Sequence, residues 1–208
     1  QKLFDSVERG DLKITPPMKP HLEEKMSLAL YHHPRLKKYW EEWHQLQNKV
    51  QTIITAAGKS QGSFQRAGFP IPKNLIVVDN APLIEGAIES YTHDPKHLFV
   101  AINQDELGSD EVREFLWSRY PDAKICLVPD TSMGALASAL HCFQDVDLDA
   151  PLVLATGDSI CTHNLDIAVE HFISLDIDAG TVVFKSSGDR WSYVLPGDEN
   201  RALEVSEK

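Results

Sequence analysis

Short apolar runs alternate with amphipathic segments along the chain from residue 51 onward. An apolar run bounded by turn residues predicts a buried strand, and apolar residues at three- and four-residue steps predict a helix packed on a sheet. The predicted strands are 51–56, 75–78, 97–103, 124–128, 151–156 and 180–185. The predicted helices are 82–92, 109–119, 133–144 and 164–174. This alternation predicts an α/β fold, a Rossmann-like open and mainly parallel sheet with helices on both faces.

The first 50 residues follow a different pattern. A proline-rich segment at 15–20 precedes two segments with helical spacing. We therefore predict a helical N-terminal extension, or the tail of a preceding domain, at residues 1–50, and a second domain at 51–208. The later part of the extension carries an aromatic cluster, Tyr39, Trp40 and Trp43. That cluster predicts an apolar docking face, and a homo-oligomer contact through residues 21–50 if the face is exposed.

Charge and cysteine content exclude several classes of protein. The 208 residues include 20 basic and 31 acidic side chains, so the formal net charge of −11 argues against nucleic-acid or anionic membrane partners. No apolar run approaches the ~20 residues that span a bilayer, and the N-terminus lacks the apolar core of a secretion signal. Three widely spaced cysteines fit a reducing cytoplasm better than a disulfide scaffold or a zinc site. Because the chain starts at Gln1 rather than Met and stops abruptly after Lys208, we also expect a fragment of a longer protein, truncated at its C-terminus.

The loop after the first predicted strand is the strongest candidate for chemistry. Small residues at Ala56–Gly58 leave backbone N–H groups exposed, and such groups bind phosphate oxygens. Three cations follow at Lys59, Arg66 and Lys73. Lys73 can neutralise phosphate charge, or it can be an ordinary solvated surface lysine. The loop matches neither the Walker nor the dinucleotide fingerprint, so phosphate binding is a working hypothesis.

Two other segments follow predicted strands, at the edge where open α/β sheets bind ligands. Asp158 ends an apolar run and is placed to hold a hard cation such as Mg²⁺, which takes one or two carboxylates plus substrate phosphates. It is equally suited to cap the following turn. Gly134 begins a predicted helix behind Thr131 and Ser132, where it leaves room for a flat ring or simply allows close packing.

Other polar residues carry weaker signals. Trp191–Tyr193 and Glu207–Lys208 could line a polar pocket, or they could form an edge strand with a surface ion pair. The histidines of the N-terminal region have no carboxylate or cysteine at zinc-like spacing, so we expect them to be plain helix residues. No nucleophile-elbow motif is present in the sequence.

Taken together, residues 51–208 resemble the sugar-phosphate nucleotidyltransferases, the nucleoside-diphosphate-sugar pyrophosphorylase type. The resemblance rests on the order of six landmarks, none specific alone. They are Ala56-Ala57-Gly58, Pro72-Lys73-Asn74-Leu75-Ile76, Pro82-Leu83-Ile84, Met133-Gly134-Ala135, Gly157-Asp158 and Glu204-Val205-Ser206-Glu207-Lys208. The Trp191–Val194 block looks most like bacterial members linked to capsule and surface-polysaccharide synthesis.

The resemblance implies a reaction in which a phosphorylated substrate attacks the α-phosphorus of an NTP and pyrophosphate leaves. Positioning and charge neutralisation supply most of the catalysis in such transfers. The implied nucleotide contacts are Ala56, Ala57, Gly58, Lys59 and Gly134. The implied catalytic residues are Lys73 and Arg66, the implied Mg²⁺ ligand is Asp158, and the implied acceptor contacts are Glu207 and Lys208.

The chain departs from the family pattern in its loop. Family members place an arginine soon after the glycines, where this chain has Ser63, and Arg66 is the nearest substitute. A second metal-binding aspartate of the family would lie beyond residue 208. The leading hypothesis is an Mg²⁺-dependent nucleotidyltransferase that acts on a sugar 1-phosphate or another small phosphorylated metabolite. The alternative is a non-catalytic domain of this type that binds a nucleotide or a partner protein.

Overall fold

The computed structural model describes ten stretches of the chain. They are residues 49–58, 63–69, 71–92, 94–104, 108–129, 134–162, 165–174, 178–186, 192–198 and 201–206. The predicted N-terminal helices lie outside the described residues, and their existence stays a prediction. Within the described stretches no helix has the length and apolar character needed to cross a membrane.

Strands and helices alternate along the described chain. In chain order they are β1 (Gln51–Ala56), α1 (Ser63–Arg66), a 3-10 turn (Lys73–Leu75), β2 (Val77–Val78), β3 (Ala81–Pro82), α2 (Leu83–Tyr91), a second 3-10 turn (Pro95–His97), β4 (Leu98–Asn103), α3 (Ser109–Arg119), β5 (Lys124–Val128), α4 (Ala135–Leu140), β6 (Leu152–Thr156), α5 (Leu165–Ser174), β7 (Tyr193–Pro196) and β8 (Ala202–Ser206).

The main sheet has the strand order β5–β4–β1–β6, and every pairing in it is parallel. The chain moves outward from β1 through β4 to β5 and then returns to the other side of β1 to form β6. The direction of winding therefore reverses between β1 and β6. In open α/β sheets the crevice at such a reversal, beyond the carboxyl ends of the strands, is where ligands bind.

Both faces of the sheet are covered by helices. Ile54 and Val100 point to one face and pack with α2 and α3 through residues such as Ile84 and Leu116. Their neighbours in sequence point to the other face, where α4 and the turns after it supply the cover. Every residue of β1 and β4 is buried, as expected for parallel strands between two helical layers. The predicted α/β fold is confirmed.

Two predicted strands are wrong as members of the main sheet. Residues 75–78 contain the end of a 3-10 turn and the two-residue β2, which pairs antiparallel with β3. Asp79 and Asn80 between them have φ angles of 50° and 73°, the conformation of a tight hairpin turn. Residues 180–185 are irregular and exposed. An apolar run becomes a strand only where a neighbouring strand or a core receives it.

The predicted helix 133–144 is shorter than expected. Helix α4 ends at Leu140, and the chain continues in turns to residue 146. The apolar residues of those turns, Cys142 and Val146, still pack into the core. The apolar side chains of this segment are therefore buried, as expected for a helix packed on the sheet, although the backbone from residue 141 onward is not helical.

Candidate functional site

A cavity of about 360 Å³ lies at the carboxyl ends of the four parallel strands. Each strand, or the residue directly after it, contributes to the lining. These contributions are Thr55 from β1, Asn103 from β4, Pro129 after β5 and Thr156 from β6. The segments that follow the strands add Ala57, Gly58, Lys73, Gly134, Asp158 and, from α4, Ala135 and Ser138. The sheet thus brings together the three loop segments that sequence analysis placed at this edge.

An ion pair joins the two sides of the cavity. Nζ of Lys73 lies 3.1 Å from Oδ2 of Asp158. The lysine side chain is 16% exposed and the aspartate 47%, so the pair lies at the mouth of the cavity. Burial alone would raise the pKa of Asp158, but the charge of Lys73 and hydrogen bonds from Lys73 and Thr156 hold that pKa below its usual range. The carboxylate is therefore ionised at neutral pH.

Two glycines allow this pair to form. A Cβ on Gly58 would lie 3.3 Å from Nζ of Lys73, so the ammonium group rests directly on the loop backbone. A Cβ on Gly157 would lie 2.9 Å from Cβ of Ala56, and the N–H of Gly157 donates to the carbonyl of Thr55 at 3.0 Å. The ends of β1 and β6 therefore approach closely, which brings Asp158 beside the loop.

The turn that carries Lys73 is tied to β1 by its neighbour. Asn74 is 3% exposed, and its Nδ2 donates to the carbonyl of Ala56 at 3.1 Å. Within the turn, the N–H of Leu75 donates to the carbonyl of Pro72 at 2.9 Å. Sequence reasoning missed Asn74, although an amide directly before an apolar run was a signal that its side chain had a specific partner.

Gly134 also lines the cavity, at the start of α4. Its φ of 92° is in a region that favours glycine, and no atom lies within 4 Å of a Cβ placed on it. Its carbonyl accepts hydrogen bonds from the N–H and the hydroxyl of Ser138, both at 3.1 Å, at the start of α4. The wall at this point is bare backbone facing open space, as a planar group would require.

Comparisons by sequence find no counterpart, because no protein-family model and no curated protein matches the chain. Solved structures do match. One is a Bacillus anthracis protein assigned as a glucose-1-phosphate thymidylyltransferase, in complex with sucrose, with a TM-score of 0.56 and 18% identity over 76% of this chain. Another is HddC of Yersinia pseudotuberculosis in complex with GMP-PN, with a TM-score of 0.51 and 15% identity over 76% of this chain and 69% of HddC.

The chain has the nucleotidyltransferase fold. The resemblance drawn from the six ordered landmarks is thereby confirmed at the level of the fold. The matched region covers 64% of the Bacillus protein. The chain thus spans less than two thirds of that protein's length.

Several predicted site residues are not brought to the cavity of this nucleotidyltransferase fold. Arg66 is exposed at the end of α1 and does not line the cavity. Ala56 is buried beneath the cavity, where its side chain contacts Gly157 and its carbonyl binds Asn74. Lys59, Glu207 and Lys208 lie outside the described residues. Thr131, Ser132 and Trp191 lie outside them too.

The acidic residues available for a metal are few. Among the described residues, no three His, Cys, Asp or Glu side chains cluster as a metal cage. Asp158 is the one acidic side chain among the described residues that line the cavity. Mg²⁺ is commonly held by one or two carboxylates together with substrate phosphates. A single ionised carboxylate on the lining of the cavity therefore fits a Mg²⁺ ion that arrives with a nucleotide.

Proposed function

We propose that this chain belongs to an enzyme that transfers NMP from an NTP to a small phosphorylated acceptor and releases pyrophosphate. The observation that carries the proposal is the Lys73–Asp158 pair resting on Gly58 at the winding reversal of a nucleotidyltransferase fold. It supplies one cation for phosphate oxygens and one anion for a divalent ion. The cavity of about 360 Å³ also falls within the range of roughly 300–1,000 Å³ typical of small-molecule sites.

In this proposal the phosphates and the base of the nucleotide bind to different parts of the cavity. The backbone at Ala57 and Gly58 approaches the phosphates, and Lys59 adds charge on the same loop. The bare wall at Gly134 receives the base. Lys73 binds the phosphate oxygens as negative charge develops on them in the transition state, which is the contribution that raises kcat.

Asp158 is the proposed ligand of Mg²⁺. Mg²⁺, when bound, neutralises the triphosphate and acts as a Lewis acid on its oxygens. Asp158 and Lys73 neutralise one another in the free protein, and each has to turn to its own substrate-side partner for transfer. Because the pair is partly exposed, separating it is inexpensive, on the order of 1 kcal/mol for surface ion pairs.

Arg66 is the proposed substitute for the loop arginine of the family. It is exposed at the end of α1, outside the residues that line the cavity, and its proposed partner is the triphosphate of the bound NTP. An interaction of that kind contributes to binding throughout the reaction. Arg66→Ala should therefore raise KM for the NTP with little change in kcat.

The remaining features of the proposal concern the acceptor and its setting. Glu207 and Lys208 are the proposed contacts of the acceptor, a sugar 1-phosphate or a related phosphorylated metabolite. The product would be an activated precursor, with polysaccharide synthesis as its proposed use. Free cysteines such as Cys126 and Cys142 fit a cytoplasmic location. Residues 1–50 are proposed as a helical N-terminal extension or the tail of a preceding domain, with homo-oligomer contacts through residues 21–50.

The experiment that tests the proposal is a pyrophosphate-release assay on the full-length protein. The common NTPs are combined with sugar 1-phosphates and small phospho-alcohols, with and without Mg²⁺. We expect one Mg²⁺-dependent combination to react. Lys73→Ala should lower kcat by about 10²-fold or more, by analogy with the loss of one transition-state contact. Lys96→Ala is the control, because Lys96 is an exposed lysine in the 3-10 turn before β4, outside the cavity.

Other outcomes are equally informative. NTP binding without turnover across the whole matrix would support the non-catalytic alternative. Neither binding nor turnover would refute the proposal. Equal activity of Lys73→Ala and Lys96→Ala would remove Lys73 from the mechanism while leaving the transfer reaction in place.

A further inference from the structure

Asn74 has a buried amide that folding alone does not explain. Its side chain is 3% exposed, and its Nδ2 donates to the carbonyl of Ala56 at 3.1 Å. Its Oδ1 is buried without a hydrogen-bond partner. An unsatisfied buried oxygen is unfavourable, so the single hydrogen bond from Nδ2 to the Ala56 carbonyl has to offset its cost. Asn74 therefore points to a role for the one hydrogen bond that it does make.

That hydrogen bond joins the two segments whose relative position matters most in the site. The carbonyl of Ala56 ends β1 and directly precedes the Ala57–Gly58 backbone. Asn74 directly follows Lys73 in the 3-10 turn. The two segments meet again in the cavity, where Nζ of Lys73 lies 3.3 Å from the Cβ position of Gly58. The Asn74 amide and the Lys73 ammonium thus both contact the segment Ala56–Gly58.

Other contacts hold the two ends of the same turn. Pro72 packs directly against Gly108, at the start of α3. The carbonyl of Ile76 accepts a hydrogen bond from the N–H of Leu83, at the start of α2, at 2.9 Å. These contacts attach the turn to two helices, and the Asn74 amide adds the attachment to β1. A turn held at three points fixes the backbone from which the lysine side chain extends.

We infer that Asn74 is a positioning residue for Lys73. Its amide fixes the 3-10 turn on the end of β1 and so places the backbone from which the lysine ammonium reaches over Gly58. The inference rests on the proposed function, because the effect of Asn74 on turnover passes through Lys73. A positional error of about 1 Å in such a group can lower a rate by on the order of 10²-fold.

A double-mutant cycle with Asn74→Leu and Lys73→Ala tests the inference. Asn74→Leu keeps the number of side-chain heavy atoms and removes the hydrogen bond, so we expect kcat to fall by roughly tenfold to 10²-fold, with a smaller change in KM. In the Lys73→Ala background the same change should have no further effect, because no lysine remains to be positioned. If Asn74→Leu does not fold, Asn74→Ser replaces it in the cycle.

Gln51 provides a matched control at the opposite end of β1. It is also a buried amide, 5% exposed, and it exchanges two hydrogen bonds with the backbone of Asp147 at 2.7 and 2.9 Å. Gln51→Leu should lower thermal stability at least as much as Asn74→Leu while leaving kcat unchanged. A loss of turnover that merely followed stability would appear in both variants.

Each outcome of the cycle decides a separate question. If the losses from Lys73→Ala and Asn74→Leu multiply in the double variant, or if kcat is unchanged in Asn74→Leu, the positioning role is wrong while the proposed function stands. If the unsubstituted protein shows no turnover, the dissociation constant of ATP is measured by calorimetry for the same four proteins of the cycle. Asn74→Leu should then weaken ATP binding in the unsubstituted background and have no further effect in the Lys73→Ala background. Failure of the unsubstituted protein to bind any NTP would overturn the proposed function and the positioning role with it.

Discussion

Replacing Gly58 by alanine should separate stability from activity in this protein. The φ of Gly58 lies outside the left-handed region, so alanine can adopt its backbone conformation without strain. The added Cβ would meet Nζ of Lys73 at 3.3 Å, a few tenths of an ångström closer than ordinary contact. Because that neighbour is the flexible end of a lysine, it can move away easily. In the unsubstituted protein the ammonium lies 3.1 Å from Oδ2 of Asp158. The added Cβ would displace it from the loop and from that oxygen.

The magnitudes have opposite signs for the two properties. A Gly→Ala change at a compatible site raises the free energy of unfolding by about 0.4–1 kcal/mol, because the unfolded chain loses freedom. A misplaced transition-state contact lowers kcat by on the order of tenfold to 10²-fold. Urea unfolding measures the first quantity and Mg²⁺-dependent pyrophosphate release the second.

Gly157→Ala is the contrasting variant. Its Cβ would lie 2.9 Å from Cβ and 3.4 Å from Cα of Ala56, and neither atom can move without shifting β1. Overpacking of this kind destabilises by typically 1–3 kcal/mol. Full turnover in Gly58→Ala would refute the argument that the lysine rests on the loop. A large loss of stability in Gly58→Ala would show that the neighbour is not free to move.

Three other predictions follow from the hydrogen bonds and charges of the domain. Asp158→Asn should weaken the Mg²⁺ dependence of turnover, and an unaltered Mg²⁺ titration would instead favour a capping role. Because the pKa of Asp158 is lowered in the folded state, the ionised carboxylate should contribute its full stabilisation above about pH 4 and lose it as the pH falls further. Tyr120→Phe should be neutral or stabilising at pH 7, because the Tyr120 hydroxyl is buried without a hydrogen-bond partner. Burial raises the pKa of Tyr120 to about 12, so the unsubstituted protein should lose stability as the pH rises from 10 toward about 12, and Tyr120→Phe should abolish that loss. Denaturant unfolding at neutral and alkaline pH checks both predictions. Gln51→Leu should lower the free energy of unfolding by about 2 kcal/mol, at about 1 kcal/mol for each lost hydrogen bond, and an unchanged urea midpoint would show that Asp147 finds other partners.

The central strands could be predicted from sequence because parallel strands between two helical layers are continuously buried. Residues 51–56 were predicted with the boundaries that the structure has, and 97–103 differed by one residue. The edge strand 124–128, which is only partly buried, was also predicted with its observed boundaries. The sequence could not distinguish residues 75–78 from a core strand, because an apolar run that contains Val77 and Val78 looks the same whether the valines are buried or, as here, exposed. Their exposure depends on the turn at Asp79 and Asn80, which periodicity does not report.

The candidate site could be predicted residue by residue but not as a set of contacts. Lys73 and Asp158 were each singled out, yet they are 85 residues apart and meet only because β6 lies beside β1. The strand order that joins them is a property of the whole sheet. Arg66 was expected near them because the family resemblance implies a loop arginine, and its place at the end of a four-residue helix is set by local backbone geometry. Asn74 acts through its partner Ala56, and no spacing rule pairs those two residues.

The position of β1 has a consequence for how the domain is assembled during synthesis. β1 is the first strand of the sheet to be made, but its partner β6 on one side is the last, because residues 98–128 build the opposite side first. One edge of β1 must therefore stay unpaired until residue 156 has left the ribosome, and unpaired strand edges invite pairing with other chains. A polypeptide stalled before that point would have the lysine but not its aspartate, and would present an open sheet edge to chaperones.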